Sequence, residues 1–292
     1  MVNKKYKVLP EKIQKNLLLK SNTIYIVKGE VQVLQGICIK AQDKCTIYIV
    51  NGIFKNSRLK RSTLIFNQGS FLDAHNLTIK ACDSNYKQEK IANNGGIWFL
   101  GSNANASKDG ISLKPRFISK PSIYSANSLN LSYLGREDGN TSNNDDIDGI
   151  SVLGLTKYEW QIKKVKSAFS GDDAIDITNS HITLDSLEVD QPVEDGINLS
   201  SSRLEINHRI KIKMPKNGIQ DRDLFDFEVD DGASYLELHK GCLVDIHGVF
   251  GDQVILSSQE MPKPITRLDN ERTYKFSRKL KKSALIYTID RD

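Results

Sequence analysis

The chain is lean in the residues that build a compact globule. Apolar residues make up 39% of its 292 positions and aromatics 8%. It has four cysteines, Cys38, Cys45, Cys82 and Cys242, with no Cys-x-x-Cys pair and no accompanying histidine-rich spacing, so a zinc site is not expected. A chain of this size does not need disulfide staples, and Cys38 and Cys82 fall in strand-like runs, so free core thiols are predicted. No apolar run reaches the roughly 18 residues of a membrane span. Residues 1–10 are basic but lack the apolar centre of a signal peptide, so the expected location is the cytoplasm, or the cell surface if an export signal has been removed. Helical periodicity is scarce too. Only Glu11 to Leu19 can be read as a short amphipathic helix, and it reads equally as the lead into the first strand.

The net charge of +5 is local. Between Lys263 and Asp292 nine basic residues face four acidic ones, which gives 9 − 4 = +5, so the rest of the chain is close to neutral. A nucleic-acid binder is therefore not expected, although the basic tail suits an acidic partner.

What the chain does have is repetition. Asp148-Gly149-Ile150, Asp173-Ala174-Ile175, Asp195-Gly196-Ile197 and Asn217-Gly218-Ile219 recur at intervals of 25, 22 and 22 (173 − 148, 195 − 173, 217 − 195). A second column, Ser180, Ser202 and Ser234, opens strand-like runs at intervals of 22 and 32 (202 − 180, 234 − 202), which implies a ten-residue insertion around Asp221 to Asp231. A period of this size means one structural unit stacked on the next. The units read as β: Ile24 to Val27, Val31 to Val33, Ile37 to Ile39 and Thr46 to Val50 alternate in period two, with turns at Lys28-Gly29, Gln35-Gly36, Asn51-Gly52 and Gln68-Gly69. The expected fold is all-β, a single-stranded right-handed parallel β-helix over 23–260. An N-terminal lead-in covers 1–22. After Met261-Pro262-Lys263-Pro264 a basic C-terminal extension covers 261–292, whose strand Ala284 to Ile289 would cap the open edge. Loops at 102–109, 135–147 and 221–232 are expected to project from the wall and carry binding.

Several stretches resemble known chains. Gly29-Glu30-Val31-Gln32-Val33, Gly36-Ile37-Cys38-Ile39, Gly69-Ser70-Phe71-Leu72, Gly95-Gly96-Ile97-Trp98-Phe99-Leu100-Gly101, Leu129-Asn130-Leu131-Ser132-Tyr133 and Gly171-Asp172-Asp173-Ala174-Ile175-Asp176 are similar to the repeats of bacterial right-handed β-helix proteins of the pectate-lyase-like superfamily, of the cell-surface and lipoprotein kind. The resemblance reaches about Ser258 and implies the fold more than an activity. A weaker resemblance is to polygalacturonase-type glycoside hydrolases, carried by Gly171-Asp172-Asp173 and Ile147-Asp148-Gly149. Where that family has Gly-His-Gly, this chain has Glu194-Asp195-Gly196. Its Arg209-Ile210-Lys211 falls less than one repeat past Asp195.

The carboxylates admit three readings. Stacked one repeat apart, Asp148, Asp173 and Asp195 would form a ladder at the strand spacing of about 4.8 Å, with Asp172, Asp176 and Glu194 close by. The ladder can be structural, each Asp accepting backbone N–H bonds in a turn. It can hold calcium through Asp148, Asp173 and Asp195. Or Asp172 and Asp173, assisted by Asp148 or Asp195, can cleave a polysaccharide. Tyr158 and Trp160 flank Glu159 and can stack on a sugar, although a Trp there equally fills the interior. The five histidines share no metal spacing. The leading expectation is a non-catalytic recognition or assembly scaffold without a cofactor, with a protein or glycan partner and scope for homo-oligomers. A polysaccharide hydrolase or lyase is the alternative.

Overall fold

A computed structural model describes residues 5–52, 62–104, 107–108, 111–112, 120–136, 147–216, 222–249, 256–257 and 274–288. Among them there is no helix; Lys12–Ile13 and Leu17–Leu19, inside the stretch that offered one, are strands. The strands form a 16-stranded and an 8-stranded sheet, both mostly parallel, and a small antiparallel pair, Ser107–Lys108 with Ile111–Ser112.

The chain visits the two large sheets in turn. Ile123–Ser132, Lys164–Ala168, His181–Asp190 and Arg203–Lys213 are neighbours in the larger sheet. Ile150–Leu153, Asp176–Thr178 and Asn198–Ser200, which lie between them in sequence, are neighbours in the smaller. Each strand pairs in parallel with its counterpart one repeat later: Ser151 with Asp176, Asp176 with Asn198, and His181 with Arg203. Alternation sets the faces. In His181–Asp190, Ile182, Leu184, Leu187 and Val189 are buried while the residues between them face outward; at Asp185-Ser186 the pattern slips by one, so the strand bends without turning its apolar side to water. Like residues stack along the core, and each buried aliphatic side chain contributes about 1.5–3 kcal/mol. Phe66, Phe99, Tyr124 and Trp160 pack together, Phe99 stacking on Phe66 at 5.1 Å and meeting Trp160 edge-on at 5.5 Å.

Corners recur at fixed places. Tyr133, Phe169 and Gln191 follow three successive long strands with φ of 59°, 56° and 53°, and Gly154, Asn179 and Ser201 follow three short ones at 65°, 48° and 50°. At Gly154 the left-handed backbone is joined by crowding, since a Cβ there would lie 2.1 Å from the Ala104 nitrogen.

The serine column is a hydrogen-bond ladder. Ser180 N–H donates to Ser202 Oγ at 3.0 Å, Ser202 N–H to Ser234 Oγ at 3.3 Å, and Leu155 N–H to Ser180 Oγ at 2.9 Å. Each hydroxyl in turn donates to a carbonyl, Ser202 to Ser200 O at 2.7 Å.

Past this region the register departs from the expected one. Asp190 pairs with Lys213, Asn198 with Asp226 and Arg203 with Tyr235, so the interval widens from 23 to 28 to 32 (213 − 190, 226 − 198, 235 − 203). The ten extra positions are thus divided, one at the register shift within Arg203–Lys213, five between Lys213 and Asp226 and four between Glu228 and Tyr235. The segment 222–228 is not a projecting loop: Asp226–Glu228 is a strand of the smaller sheet, and Leu224, Phe225 and Phe227 are buried. Asn217, Gly218, Ile219 and Asp221 lie outside the described residues, as do 137–146 and 258–273.

At the far end Ala284–Thr288 and Tyr274–Lys279 pair antiparallel with Ser234–Leu238 and Leu243–Gly248. At the other end Lys5–Val8 pairs with Thr23–Val27, so regular pairing begins within the expected lead-in.

Replacing Ser202 with Ala strands the buried Ser180 N–H. It is expected to cost about 1–3 kcal/mol, read as a lower urea midpoint at unchanged slope.

Candidate functional site

Asp148, Asp173 and Asp195 do fall on one line, because Ser151, Asp176 and Asn198, three positions further on in each case, are paired in register. The fourth member is Asp223, three positions before Asp226. The line is buried: Asp148, Asp173 and Asp195 are 2%, 5% and 6% exposed. Its oxygens serve the backbone. Asp195 N–H donates to Asp173 Oδ1 at 3.0 Å, and Asp223 N–H donates to Asp195 Oδ1 at 2.6 Å. Asp148 Oδ2 accepts from Ser151 Oγ at 3.2 Å. The turn role offered by the sequence is thus performed across repeats, with Asp173 and Asp195 each holding the start of the next.

Burial pushes the Asp173 carboxyl well above the usual carboxylate range. The charges of Asp195, Asp148 and Asp176 push the same way, against the pull of the Asp195 N–H. Asp195 is raised for the same first reason, with the Asp223 N–H opposing and Asp226, Asp223 and Glu194 adding to it. Like charges stacked in a dry wall favour protonated forms.

The carboxylate oxygens that converge belong to a different set. Asp172, Asp173 and Glu194 bring one oxygen each within 4.8 Å of one another, whereas the calcium set read from the sequence was Asp148, Asp173 and Asp195. Calcium takes about 6–8 oxygens. Three carboxylates, two of them buried and one of those raised and already accepting a backbone N–H, are a poor cage for it. Asp176 is 1% exposed and accepts from the Thr178 hydroxyl at 3.4 Å, so it too faces the wall rather than a ligand.

The expected aromatic pair does not form a binding face. Tyr158 is 84% exposed, but Trp160 is 3% exposed, packed edge-on against Phe99 and paired in register with Tyr124. Trp160 is a core residue, and the sugar-stacking role is corrected on that ground. Glu159 between them is buried. It accepts from Ser102 N–H and Oγ, Ser122 N–H, and Thr156 N–H and Oγ1, at 2.8–3.0 Å, which ties three segments together. The free thiols also belong to the wall. Cys45, Cys82 and Cys242 are buried, Cys38 half-buried rather than internal, and burial lifts Cys82 to about 12 and Cys242 to about 11.

Two polar groupings escaped the sequence reading. On the outer face of the larger sheet Glu205 collects His181 Nε2 at 2.8 Å, Arg203 Nε at 3.2 Å, His239 Nε2 at 3.6 Å and Lys157 Nζ at 3.7 Å, while Arg203 also bonds Glu237. The network joins residues of four segments, around 157, 181, 203–205 and 237–239, so no local motif marks the whole of it.

The second is a cleft of about 420 Å³ at the first corner column. Tyr133 and Phe169 stack there, ring centroids 4.9 Å apart and planes within 7°. Gly171, Gln191, Pro192, Pro215, Lys90 and Arg222 are among its other lining residues. Arg222 is buried and donates through Nε to Val193 O at 2.7 Å. Spacing marks only part of it: Gln191 comes one repeat after Phe169 (191 − 169 = 22), whereas Tyr133 lies 36 before it (169 − 133 = 36).

No family model matches the chain, and comparison with curated proteins and with solved structures finds no match.

The raised carboxyls set a pH dependence. A folded-state pKa above the unfolded value stabilises fully below the unfolded pKa, and that contribution is lost as pH rises through the folded pKa. Stability is therefore expected to fall as pH rises above the unfolded carboxyl value of about 3.9 and to level off past the raised folded-state one, with a slope approaching about 1.4 kcal/mol per pH unit for each proton released. Asp173→Asn, which keeps a side-chain oxygen for the Asp195 N–H, should flatten that slope in denaturant titrations from pH 5 to 9.

Proposed function

We propose that this chain is a right-handed parallel β-helix serving as a non-catalytic recognition scaffold for a glycan or protein partner. The right hand is supported by the chirality of strand–crossover–strand connections between parallel neighbours, right-handed in about 98% of cases. The alternation between two parallel sheets in a fixed repeat supports the coiled path. The observation that carries the non-catalytic reading is the engagement of the Asp ladder, in which one buried oxygen each of Asp173 and Asp195 accepts an N–H of the following repeat. A general acid or nucleophile must instead present its oxygen to a substrate. The cleft beside the ladder supplies what recognition needs: concavity, apolar surface and a few polar heads.

One observation favours the polysaccharide-cleaving alternative. Asp172 directly follows Gly171 of the cleft, and its carboxylate converges with those of Asp173 and Glu194. Product release from acidic and neutral polysaccharides decides between them, with wild type run beside a folded Asp172→Asn/Asp173→Asn variant. The scaffold predicts no release from either protein. Release by wild type alone makes the convergent carboxylates an active site.

A further inference from the structure

Several outward-facing lysines on this protein are paired. Lys40 meets Asp73 at 3.1 Å, Lys166 meets Glu188 at 3.9 Å and Lys213 meets Asp190 at 3.5 Å. Lys90, Gln191 and Tyr133 line the cleft, and among the described residues the ammonium, amide and hydroxyl of these three bond no other side chain, while Tyr133, Phe169, Pro192 and Pro215 give it apolar surface. The polar heads are rich in donors: an ammonium, an amide and a hydroxyl, with the buried Arg222 held in place through Nε. Each ring sits on a corner whose φ is fixed by the repeat, Tyr133 at 59° and Phe169 at 56°, so the apolar surface is pre-organised and little is lost in ordering it on binding.

A pre-formed apolar surface beside the unengaged donors of Lys90, Gln191 and Tyr133 matches a ligand with a ring of C–H groups, several acceptor oxygens and a negative charge. We propose that this cleft binds a saccharide unit carrying an anionic group, with the sugar ring against Tyr133 and Phe169, the anion on Lys90 and ring oxygens on Gln191. The volume of about 420 Å³ suits one or two sugar units rather than a long segment. The proposal rests on the recognition reading above and gives it a site and a ligand class. It replaces Tyr158 and Trp160 as the sugar-facing residues.

The test is calorimetric titration of the whole chain with mono- and disaccharides that are neutral, carboxylated, sulfated or phosphorylated, and with an acidic peptide. Anionic saccharides are expected to bind and neutral ones at least tenfold more weakly, with affinity falling as salt screens the charge. Lys90→Glu should weaken binding at least tenfold and Gln191→Ala several-fold. Tyr158→Ala, away from the cleft, should leave it unchanged. Lys90 is exposed and Gln191 half-buried, so both variants should keep the wild-type circular dichroism and melting temperature. Binding to the peptide alone, or no preference for anionic over neutral saccharides, overturns the proposal. Saccharide binding that survives Lys90→Glu and Gln191→Ala overturns the cleft while leaving a recognition scaffold. Product release in the polysaccharide assay overturns the non-catalytic reading and leaves the cleft intact.

Discussion

Every repeat of this protein depends on its neighbour to satisfy buried polar groups. Backbone N–H groups at the strand starts face inward or into the wall, where water does not reach them. An unpaired buried donor costs about 1–3 kcal/mol. The chain meets this with side chains one repeat away: Ser202 and Ser234 for the serine column, Asp173 and Asp195 for the aspartate column. The same bonds that complete one repeat fix the register of the next, and register decides which side chains face the core.

That dependence explains why the aspartates recur. A short side chain with an acceptor oxygen is needed at the same corner each time, and Asp supplies it. Where the interval widens, the position is kept and the extra residues are pushed elsewhere, so Asp223 takes the fourth place. The upward push on the Asp173 and Asp195 carboxyls is a by-product of stacking carboxyls in a dry wall. Raised carboxyls of this kind are often read as catalytic, but their occupied oxygens and burial give a structural cause.

The end strands obey the same logic. A stack of parallel strands leaves an unpaired edge at each end. At one end Tyr274–Lys279 and Ala284–Thr288 reverse direction and pair antiparallel with the last parallel strands, so part of the tail's excess of lysine and arginine lies on an edge. At the other, Lys5 and Lys7 flank Tyr6 in an exposed strand, and charge there discourages further pairing.

Spacing and alternation establish the β class, the repeat, the two polar columns and the free thiols, because the backbone must obey each of them wherever the chain folds. They misplace the fourth rung, since Asn217-Gly218-Ile219 copies the pattern locally while only pairing can say which residues align across an insertion. They leave Trp160 a choice between sugar and core, and packing against Phe99 settles it for the core. The cleft and the Glu205 network exist only in the folded chain. Lys90, Tyr133, Phe169, Gln191 and Arg222 come from separate repeats, and what brings them to one corner is the stacking of strands, a contact between residues tens of positions apart that no local pattern encodes.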